Sequence, residues 1–438
     1  MSHAISVMKS PDRLRKVCVI GLGYIGLPTA AVLAQHGHDV VGVDVHSNIV
    51  DTINRGEIHI HEPGLGELVE EVVKSGTLKA SLNPVAADVF FICVPTPIKA
   101  EKSPDLSYVE AASQAIRPYL QKGSLVILES TSPPQTTTGV VVPNVVPDGW
   151  VVGHDVFVAH CPERVLPGQI LREVIENDRI VGGVTPRCTE HTAAFYEEFV
   201  TGAVFRTTAV TAETTKLVEN AYRDVNIAFA NELSMLATEL GADAHEIIEL
   251  ANRHPRVNVL TPGPGVGGHC ISVDPWFLVH ASPERTPLIR CARTVNDSKP
   301  EFVVEQISQH ASQLQSPKIG CLGLTYKADV DDLRESPSLR IVRDLIAADV
   351  GDVVACDPYV KPESVPGVQL VGLVEATRDC DIVVLLTDHT AFKNLPTAVT
   401  RGKRVVDTRG IWRGQANQLE HGVGIGRTAA DQVTTRVA

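Results

Sequence analysis

The sequence lacks several features that would assign it to a class at once. Its nine cysteines form no CxxC pair and no dense framework, which predicts reduced thiols and a cytoplasmic location. No apolar run approaches the roughly 20 residues of a membrane span, and the first residues carry no apolar stretch of a signal peptide. The net charge of −13 argues against nucleic-acid or membrane partners. We find no Cys/His cluster at zinc spacing, so no metal is expected.

What the chain does contain is a layout of short apolar strands that occurs twice. The first series begins at Lys16, Val40, Asp88 and Leu125, and the second at Lys318, Val353, Asp381 and Arg404. Continuous apolar strands separated by helical stretches are typical of parallel sheets buried on both faces. At 438 residues the chain exceeds what one core usually supports. The sequence therefore predicts an α/β fold with two doubly wound Rossmann-like domains.

A long helix is predicted between the two series. From Ala212 to Leu240 the chain has no proline or glycine, and its apolar residues recur with helical spacing. The helix of roughly 28 residues is much longer than the average of about 11–12 residues. It would join the two domains as a spacer and dimerisation element, or it is an ordinary buried helix of one domain.

The first strand runs into the glycine pattern Gly21-Leu22-Gly23-Tyr24-Ile25-Gly26. Such glycines permit a tight turn, close approach of a pyrophosphate and close packing of helix on strand. Asp44 ends the next strand, where a ribose-binding acid belongs. A carboxylate there accepts from both ribose hydroxyls and repels a 2′-phosphate. The pattern favours NAD over NADP, the alternative being a glycine-rich turn that binds nothing.

A second glycine-rich segment, residues 262–268, precedes Cys270, and Asp274 follows four residues later. A thiol there can face a small-molecule pocket, and a thiolate is a nucleophile whose pKa a neighbouring cation such as Lys216 or His269 lowers. Free cysteines are also among the most buried residues, so packing is the alternative. Lys216 and Asn220 are four apart and share one helix face, which by itself is more typical of a solvated surface than of a binding site.

These motifs together resemble the nucleotide-sugar 6-dehydrogenases of the UDP-glucose/GDP-mannose dehydrogenase family. The resemblance runs from about residue 16 to residue 425. It rests on the glycine pattern, on Lys216 with Asn220, on the Cys270 loop and on three further segments: Glu129-Ser-Thr-Ser-Pro133, Cys161-Pro-Glu-Arg164 and residues 323–336.

The resemblance implies oxidation of the C6 hydroxymethyl of a UDP-sugar to a carboxylate with reduction of two NAD. Cys270 would attack the C6 aldehyde, and the thiohemiacetal would lose a second hydride to give a thioester that water hydrolyses. The residues that resemble the family's catalytic set are Cys270, Lys216 for the oxyanions, Asn220 for the C6 oxygen, Asp274 and Thr131 for water and proton transfers, and Glu163 as general base.

Binding residues and domains follow from the same resemblance. NAD is expected on the glycine pattern (Gly21, Gly23, Tyr24, Ile25, Gly26) and on Asp44, Pro95, Thr96, Thr131 and Arg334. The sugar nucleotide is expected on Glu163, Arg164, Lys216, Asn220, Arg256, Gly267 and Lys327, with Arg256 reaching the neighbouring subunit of a homodimer. We expect an NAD-binding domain at residues 1–205, a central helical dimerisation domain with the Cys270 loop at 206–305, and a UDP-sugar-binding domain at 306–438.

The sequence indicates the substrate less clearly than it indicates the reaction. UDP-glucose members carry a second glutamate where this chain has Pro167, which counts against glucose. The loop sequence resembles the branch acting on UDP-N-acetylmannosamine, with UDP-N-acetylglucosamine as the alternative; the product would serve surface polysaccharide. A two-electron β-hydroxyacid dehydrogenase shares the Rossmann domain and a helical Lys-x-x-x-Asn, but the Cys270 loop and second α/β domain oppose it. A nucleotide-sugar sensor without turnover is the rival from outside the enzymes.

Overall fold

The computed structural model describes residues 14–166, 168–395 and 399–413. Within them the chain forms two compact units. The first unit holds the residues up to Tyr222 together with Val273–Arg290, and the second holds Arg223–Ser272 and the residues from Cys291 onward. The expected three-domain division with boundaries at 205 and 305 stays a prediction.

The first unit is built on an eight-stranded sheet in the order β3-β2-β1-β4-β5-β6-β7-β8. All neighbouring strands are parallel except β6 and β7. Strands β4, β5 and β6 are buried along their whole length, because helices cover both faces. The order 3-2-1-4-5 is that of dinucleotide-binding domains. The strands are β1 Lys16–Ile20, β2 Asp39–Val43, β3 Leu78–Ser81, β4 Val89–Ile92, β5 Ser124–Leu128, β6 Val156–His160, β7 Arg179–Gly183 and β8 Val204–Thr208.

Helices connect these strands, and a single π-helical turn, Thr137–Val141, leads into α5. A 3-10 turn, Arg117–Tyr119, follows α4. Two later helices, α8 and α11, pass from one unit to the other. The helices up to α8 are α1 Gly26–Gln35, α2 Ser47–Asn54, α3 Leu65–Lys74, α4 Ser107–Ile116, α5 Val142–Val145, α6 Ile170–Glu176, α7 Pro186–Tyr196 and α8 Ala209–Glu239.

The second unit has a five-stranded, all-parallel sheet in the order β11-β10-β9-β12-β13. Its strands are β9 Lys318–Leu322, β10 Asp352–Cys356, β11 Gln369–Leu370, β12 Ile382–Leu385 and β13 Arg404–Asp407. The remaining helices are α9 Ala244–Ala251, α10 Asp274–Ala281, α11 Pro287–Ala311, α12 Pro337–Ala347, α13 Leu373–Arg378 and α14 Thr390–Lys393, and a 3-10 turn covers Pro362–Ser364. One mostly parallel sheet and one all-parallel sheet, each with helices between its strands, confirm the predicted α/β fold class.

The predicted long helix is α8, whose 31 residues begin three residues before the expected start and end at Glu239. Several of its large apolar side chains are exposed in the single chain. Among the described residues, no helix combines the length and apolarity needed to cross a bilayer. All nine cysteines lie among the described residues, and none of them forms a disulfide. Cys291 is exposed, whereas six others are buried: Cys18, Cys161, Cys188, Cys321, Cys356 and Cys380.

Candidate functional site

The turn after β1 has the geometry that the glycine pattern predicts. Gly21 has a φ of +90° and donates its N–H to the carbonyl of Val43 at 2.8 Å. A Cβ on Gly26 would lie 1.8 Å from the carbonyl oxygen of Gly21, so only glycine lets α1 start this close to the strand. A Cβ on Gly23 would meet nothing within 4 Å. The turn is therefore tight on one side and open at Gly23, as a bound pyrophosphate requires.

Asp44 lies directly after β2 and is half-buried. Its Oδ2 accepts from the N–H of Leu22 at 3.1 Å, and its Oδ1 accepts from the N–H of His46 at 3.0 Å. These bonds fix the carboxylate beside the glycine turn. Each carboxylate oxygen has a further lone pair with which to accept from a ribose hydroxyl. These acceptor atoms fit a dinucleotide with an unmodified ribose.

The loops that follow β4 and β5 meet at the same edge of the sheet. The hydroxyl of Thr96 donates to the carbonyl of Thr131 at 2.6 Å, and the hydroxyl of Ser130 donates to the carbonyl of Val94 at 2.7 Å. Pro95 is exposed on the first of these loops. Tyr24 is 43% exposed on the glycine turn and Ile25 is half-buried. The predicted cofactor residues of the first unit thus lie at the carboxyl ends of β1, β2, β4 and β5.

Glu213 is a residue that the sequence analysis missed. It belongs to α8, is fully buried, and its carboxylate accepts from the N–H groups of Gln135 at 2.6 Å and Thr137 at 2.7 Å. Those N–H groups open the helical segment that follows the Thr131 loop, where a negative charge is favourable. Glu213 therefore fixes α8 against that loop. No local pattern signals a contact between residues 76 apart.

Two predicted catalytic residues, Asn220 of α8 and Asp274 of α10, are in direct contact. The amide of Asn220 donates to Oδ2 of Asp274 at 2.5 Å, and both residues are buried. Burial raises the pKa of Asp274 to about 6, and the Asn220 hydrogen bond and the charge of Lys216 offset part of that rise. A carboxyl with such a pKa changes protonation near neutral pH, as a group that transfers protons must.

Glu163 and Arg164 lie on the loop after β6. Glu163 is 7% exposed, and its Oε2 accepts from the buried guanidinium of Arg179 at 2.8 Å. Its Oε1 accepts from the N–H of Arg164 at 2.6 Å. The side chain of Arg164 forms an ion pair with Glu219 of α8 at 2.8 Å. Arg179 was assigned no role from the sequence, although an arginine at the start of a buried strand indicates that it has a charged partner. Pro167 lies outside the described residues.

Glu129 directly follows β5 and belongs to a motif of the family resemblance, but it was given no role of its own. It is buried, and it accepts hydrogen bonds from Tyr196 at 2.8 Å, from the Cys93 thiol at 3.3 Å and from Thr29 of α1 at 3.4 Å. Desolvation, followed by the nearby charge of Glu163, raises the pKa of Glu129 to about 7. A titratable carboxyl therefore lies beneath the first turns of α1.

The Cys270 loop belongs to the second unit and is non-helical up to the start of α10. Its glycines make close approaches to the segment after β9. A Cβ on Gly267 would lie 2.6 Å from Cβ of Tyr326, and one on Gly268 would lie 2.9 Å from the Tyr326 ring. Gly268 also donates its N–H to the carbonyl of Arg334 at 3.0 Å. Cys270 itself is half-buried.

The other predicted residues of the second unit are exposed. Arg256 follows α9, and Lys327 and Arg334 lie on the segment between β9 and α12, as expected. The guanidinium of Arg334 pairs with Asp332 at 2.6 Å. Cys270, Gly267, Arg256, Lys327 and Arg334 are all in the second unit, whereas the Asn220–Asp274 pair and the glycine turn are in the first.

The chain is similar to known proteins over most of its length. It matches three family models of the UDP-glucose/GDP-mannose dehydrogenase family: the NAD binding domain over residues 15–200, the central domain over 210–298 and the UDP binding domain over 320–414. An NDP-N-acetyl-D-galactosaminuronic acid dehydrogenase of Ralstonia nicotianae is 52% identical over 91% of this chain and 96% of its own length.

Two further relatives are similar over their full length. A UDP-N-acetyl-D-mannosamine dehydrogenase of Campylobacter jejuni is 50% identical over 87% of this chain and 97% of its own. The solved structure of the UDP-N-acetyl-mannosamine dehydrogenase from S. aureus is 43% identical, covers 91% of this chain and 99% of its own, and gives a TM-score of 0.83. The chain belongs to the UDP-glucose/GDP-mannose dehydrogenase family and is an NAD-dependent UDP-sugar dehydrogenase.

Proposed function

We propose that this member of the UDP-glucose/GDP-mannose dehydrogenase family oxidises C6 of UDP-N-acetylmannosamine to the carboxylate in two steps, for surface polysaccharide. The observation that carries the proposal is the buried Asn220–Asp274 pair beside Lys216, because it supplies a proton-transferring carboxyl and an oriented amide. Relatives named for N-acetylated hexosamines, at 52% and 50% identity, support this substrate class. The first of them makes the galacto isomer a second candidate, besides UDP-N-acetylglucosamine.

In the first oxidation, the C6 hydroxyl loses a proton and C6 loses a hydride. NAD bound on the glycine turn supplies the hydride acceptor in each of the two oxidations. Lys216 is the cation that stabilises the developing oxyanion, and Asn220 holds the C6 oxygen. Asp274 fixes the amide of Asn220 and takes part in the proton transfer.

The second oxidation depends on a covalent bond to the enzyme. The thiolate of Cys270 attacks the C6 aldehyde, and the new C–S bond gives a thiohemiacetal whose carbon carries a transferable hydride. Loss of that hydride and of the hydroxyl proton leaves a thioester. The bond to sulfur also prevents the aldehyde from diffusing away before it is oxidised.

Hydrolysis then releases the acid and the thiol. Glu163 is proposed as the general base for water, with Thr131 supporting the water's position. Its two oxygens already accept from Arg179 and Arg164, but each keeps a second lone pair for a water molecule. The buried guanidinium of Arg179 holds Oε2 of this carboxylate in place.

Stoichiometry tests the reaction. With a panel of UDP-N-acetylhexosamines and UDP-glucose, we expect two NADH per sugar and the largest kcat/KM with UDP-N-acetylmannosamine. A two-electron dehydrogenase would yield one NADH, and a sensor would yield none. Cys270→Ser is expected to abolish acid formation, whereas Cys291→Ser, at the exposed thiol of the same unit, is the matched control and should match the wild type. Unchanged four-electron turnover by Cys270→Ser would refute the thioester.

We propose that the chain is a homodimer joined through α8. The apolar side chains of Val218, Tyr222, Phe229 and Leu236 are 50%, 69%, 58% and 49% exposed in the single chain. Their spacing of four and seven residues forms one stripe along the helix, which a second copy would cover. Sedimentation should give twice the chain mass, and Phe229→Glu should shift it toward the monomer. A monomeric wild type would overturn this assembly and the expected contribution of Arg256 to the neighbouring site.

A further inference from the structure

The loop that carries Cys270 is attached at both ends to a buried polar cluster. At its start, the N–H of Gly263 donates to Oδ1 of Asn231 on α8 at 2.9 Å. At its end, the guanidinium of Arg293 on α11 lies 3.5 Å from the carbonyl oxygen of Ile271, the residue after Cys270. All of these residues belong to the second unit.

The cluster continues between the two helices. Arg293 forms an ion pair with Asp224 of α8 at 2.5 Å, and it also contacts Asp297. The amide of Asn296 donates to Oδ1 of Asp224 at 2.8 Å, and its oxygen accepts from Asn231 at 2.8 Å. The hydrogen bonds therefore run without a break from one end of the loop to the other.

Burial makes this arrangement informative. The side chains of Arg293 and Asp224 are 1% and 0% exposed. Removing two charges from water is costly, and apolar side chains of the same volume often stabilise a protein as well or better. Joining two helices therefore gives no sufficient reason for an ion pair at this place. The contact of Arg293 with the carbonyl oxygen of Ile271, next to Cys270, gives a reason for the ion pair.

We propose that Arg293 is a positioning residue for Cys270: its guanidinium, held by Asp224, fixes the end of the loop and places a positive charge beside the sulfur. The inference rests on the proposed function in that Cys270 is the nucleophile. Because its side chain is only 1% exposed, Arg293 acts on the reaction through the loop and the charge that it brings there.

Replacing either member of the Arg293–Asp224 pair should change the reactivity of Cys270, and the two replacements should change it in opposite directions. Arg293→Met leaves Asp224 without its cation, so the thiolate of Cys270 is disfavoured. Asp224→Asn keeps the shape and the bond to Asn296 but leaves Arg293 less neutralised, so the thiolate is favoured. Because thiolates alone react with iodoacetamide, the alkylation rate of Cys270 at pH 7 should fall about tenfold in the first variant and rise several-fold in the second.

The measurement uses the full chain, with alkylated peptides identified by mass spectrometry. Cys321 is fully buried in the sheet of the same unit, so its alkylation reports unfolding. Arg253→Met is the matched control, because it breaks an exposed pair with Glu249 in that unit. We also expect Arg293→Met to lower kcat about tenfold or more with KM for the UDP-sugar within about threefold, and Arg293→Lys to restore part of the alkylation rate.

The outcomes separate this inference from its premise. If both variants alkylate Cys270 at the wild-type rate while Cys321 stays protected, or if the two rates change in the same direction, Arg293 has no such role. If Arg293→Met fails to fold, Asp224→Asn decides alone, and an unchanged or slower rate overturns the proposal. A wild type that yields no NADH with any UDP-sugar refutes the proposed function, whatever the alkylation rates.

Discussion

The turns after β1 and β9 are built alike and differ in what they leave open. Gly21 and Gly323 both have a φ of +90° and donate their N–H groups to Val43 and Cys356 at 2.8 and 2.9 Å. An aspartate follows the second strand of each sheet. Asp44 accepts from the N–H of Leu22, and Asp357 accepts from that of Leu324 at 2.7 Å. The backbone framework of a dinucleotide site is thus present twice.

Side chains close the second turn. The position matching Gly23 is Thr325, whose hydroxyl donates to the carbonyl of Lys327 at 2.9 Å. The buried imidazole of His389 accepts from the N–H of Asp329 through Nδ1 at 2.9 Å, so Nε2 is left to donate to Asp357 at 3.0 Å. Asp357, the counterpart of the aspartate proposed to bind a ribose in the first unit, is satisfied by internal hydrogen bonds. A strand-turn-aspartate framework alone therefore does not make a cofactor site.

The largest effect is expected from closing the first turn. In Gly26→Ala the new Cβ would lie 1.8 Å from the backbone oxygen of Gly21, so α1 must move away from the strand. We expect NAD affinity, measured by calorimetry, to fall more than about 100-fold, a loss of roughly 3 kcal/mol. The second turn already has Ala328 at the matching position, and Ala328→Gly should leave NAD binding unchanged. Normal binding by Gly26→Ala would show that the turn does not hold the pyrophosphate.

A smaller effect should separate the two aspartates. Asp44→Asn removes the charge that repels a 2′-phosphate, so KM for NAD should rise about tenfold and the preference over NADP should narrow. Asp357→Asn should leave both KM values unchanged but lower the free energy of unfolding by about 2 kcal/mol, because the buried bond from His389 loses its charged acceptor. Steady-state kinetics and urea titrations measure the two quantities. Equal effects of the two variants on KM would contradict the comparison.

The two units are also expected to respond to pH in opposite ways. Burial alone would raise the pKa of Asp357, but its hydrogen bonds from His389 and from backbone N–H groups outweigh this and hold the pKa below the usual value. That stabilisation is present at neutral pH and is lost as pH falls through the lowered pKa. Glu129 changes stability with pH in the opposite direction. Because its pKa is raised, stability is lost as pH rises from about 4.5 to about 7.

Glu129→Gln should therefore remove a pH dependence from the first unit. The linkage at Glu129 is worth up to about 3 kcal/mol, and glutamine keeps a neutral group in the same place. We expect the melting temperature of the variant at pH 8 to exceed that of the wild type by a few degrees, with little difference at pH 5. A wild-type curve of the same shape as the variant's between pH 5 and pH 8 would contradict the raised pKa.

Local pattern was enough to predict four strands of each sheet, the long helix and the glycine turn. Strands β3, β6, β7, β8 and β11 were not identified. The edge strand β8 carries exposed Phe205 and Arg206, so its pattern lacks the continuous apolar run of a central strand. The family resemblance supplied the roles of Cys270, Lys216 and Glu163, which spacing alone left open against packing or a solvated face.

The contacts that hold the site were beyond the reach of the sequence. Arg179 reaches Glu163 across 16 residues, Glu213 reaches Thr137 across 76, and Arg293 reaches Asp224 across 69. Each pair joins elements whose spacing in space depends on the packed sheet or helices. The sequence signals these contacts only through a charged residue within a buried element, and that signal does not identify the partner.

The carboxylate of Glu213 stands three residues before Lys216 and seven before Asn220, so all three side chains project from successive turns of one face of α8. Glu213 thus fixes the position of α8 on the Thr131 loop, and the two groups proposed for catalysis follow along the helix at a rise of 1.5 Å per residue. Inserting one residue after Glu213 would swing both groups by about 100° around the axis. The number of residues between Glu213 and Asn220 is therefore as constrained as the identity of these residues.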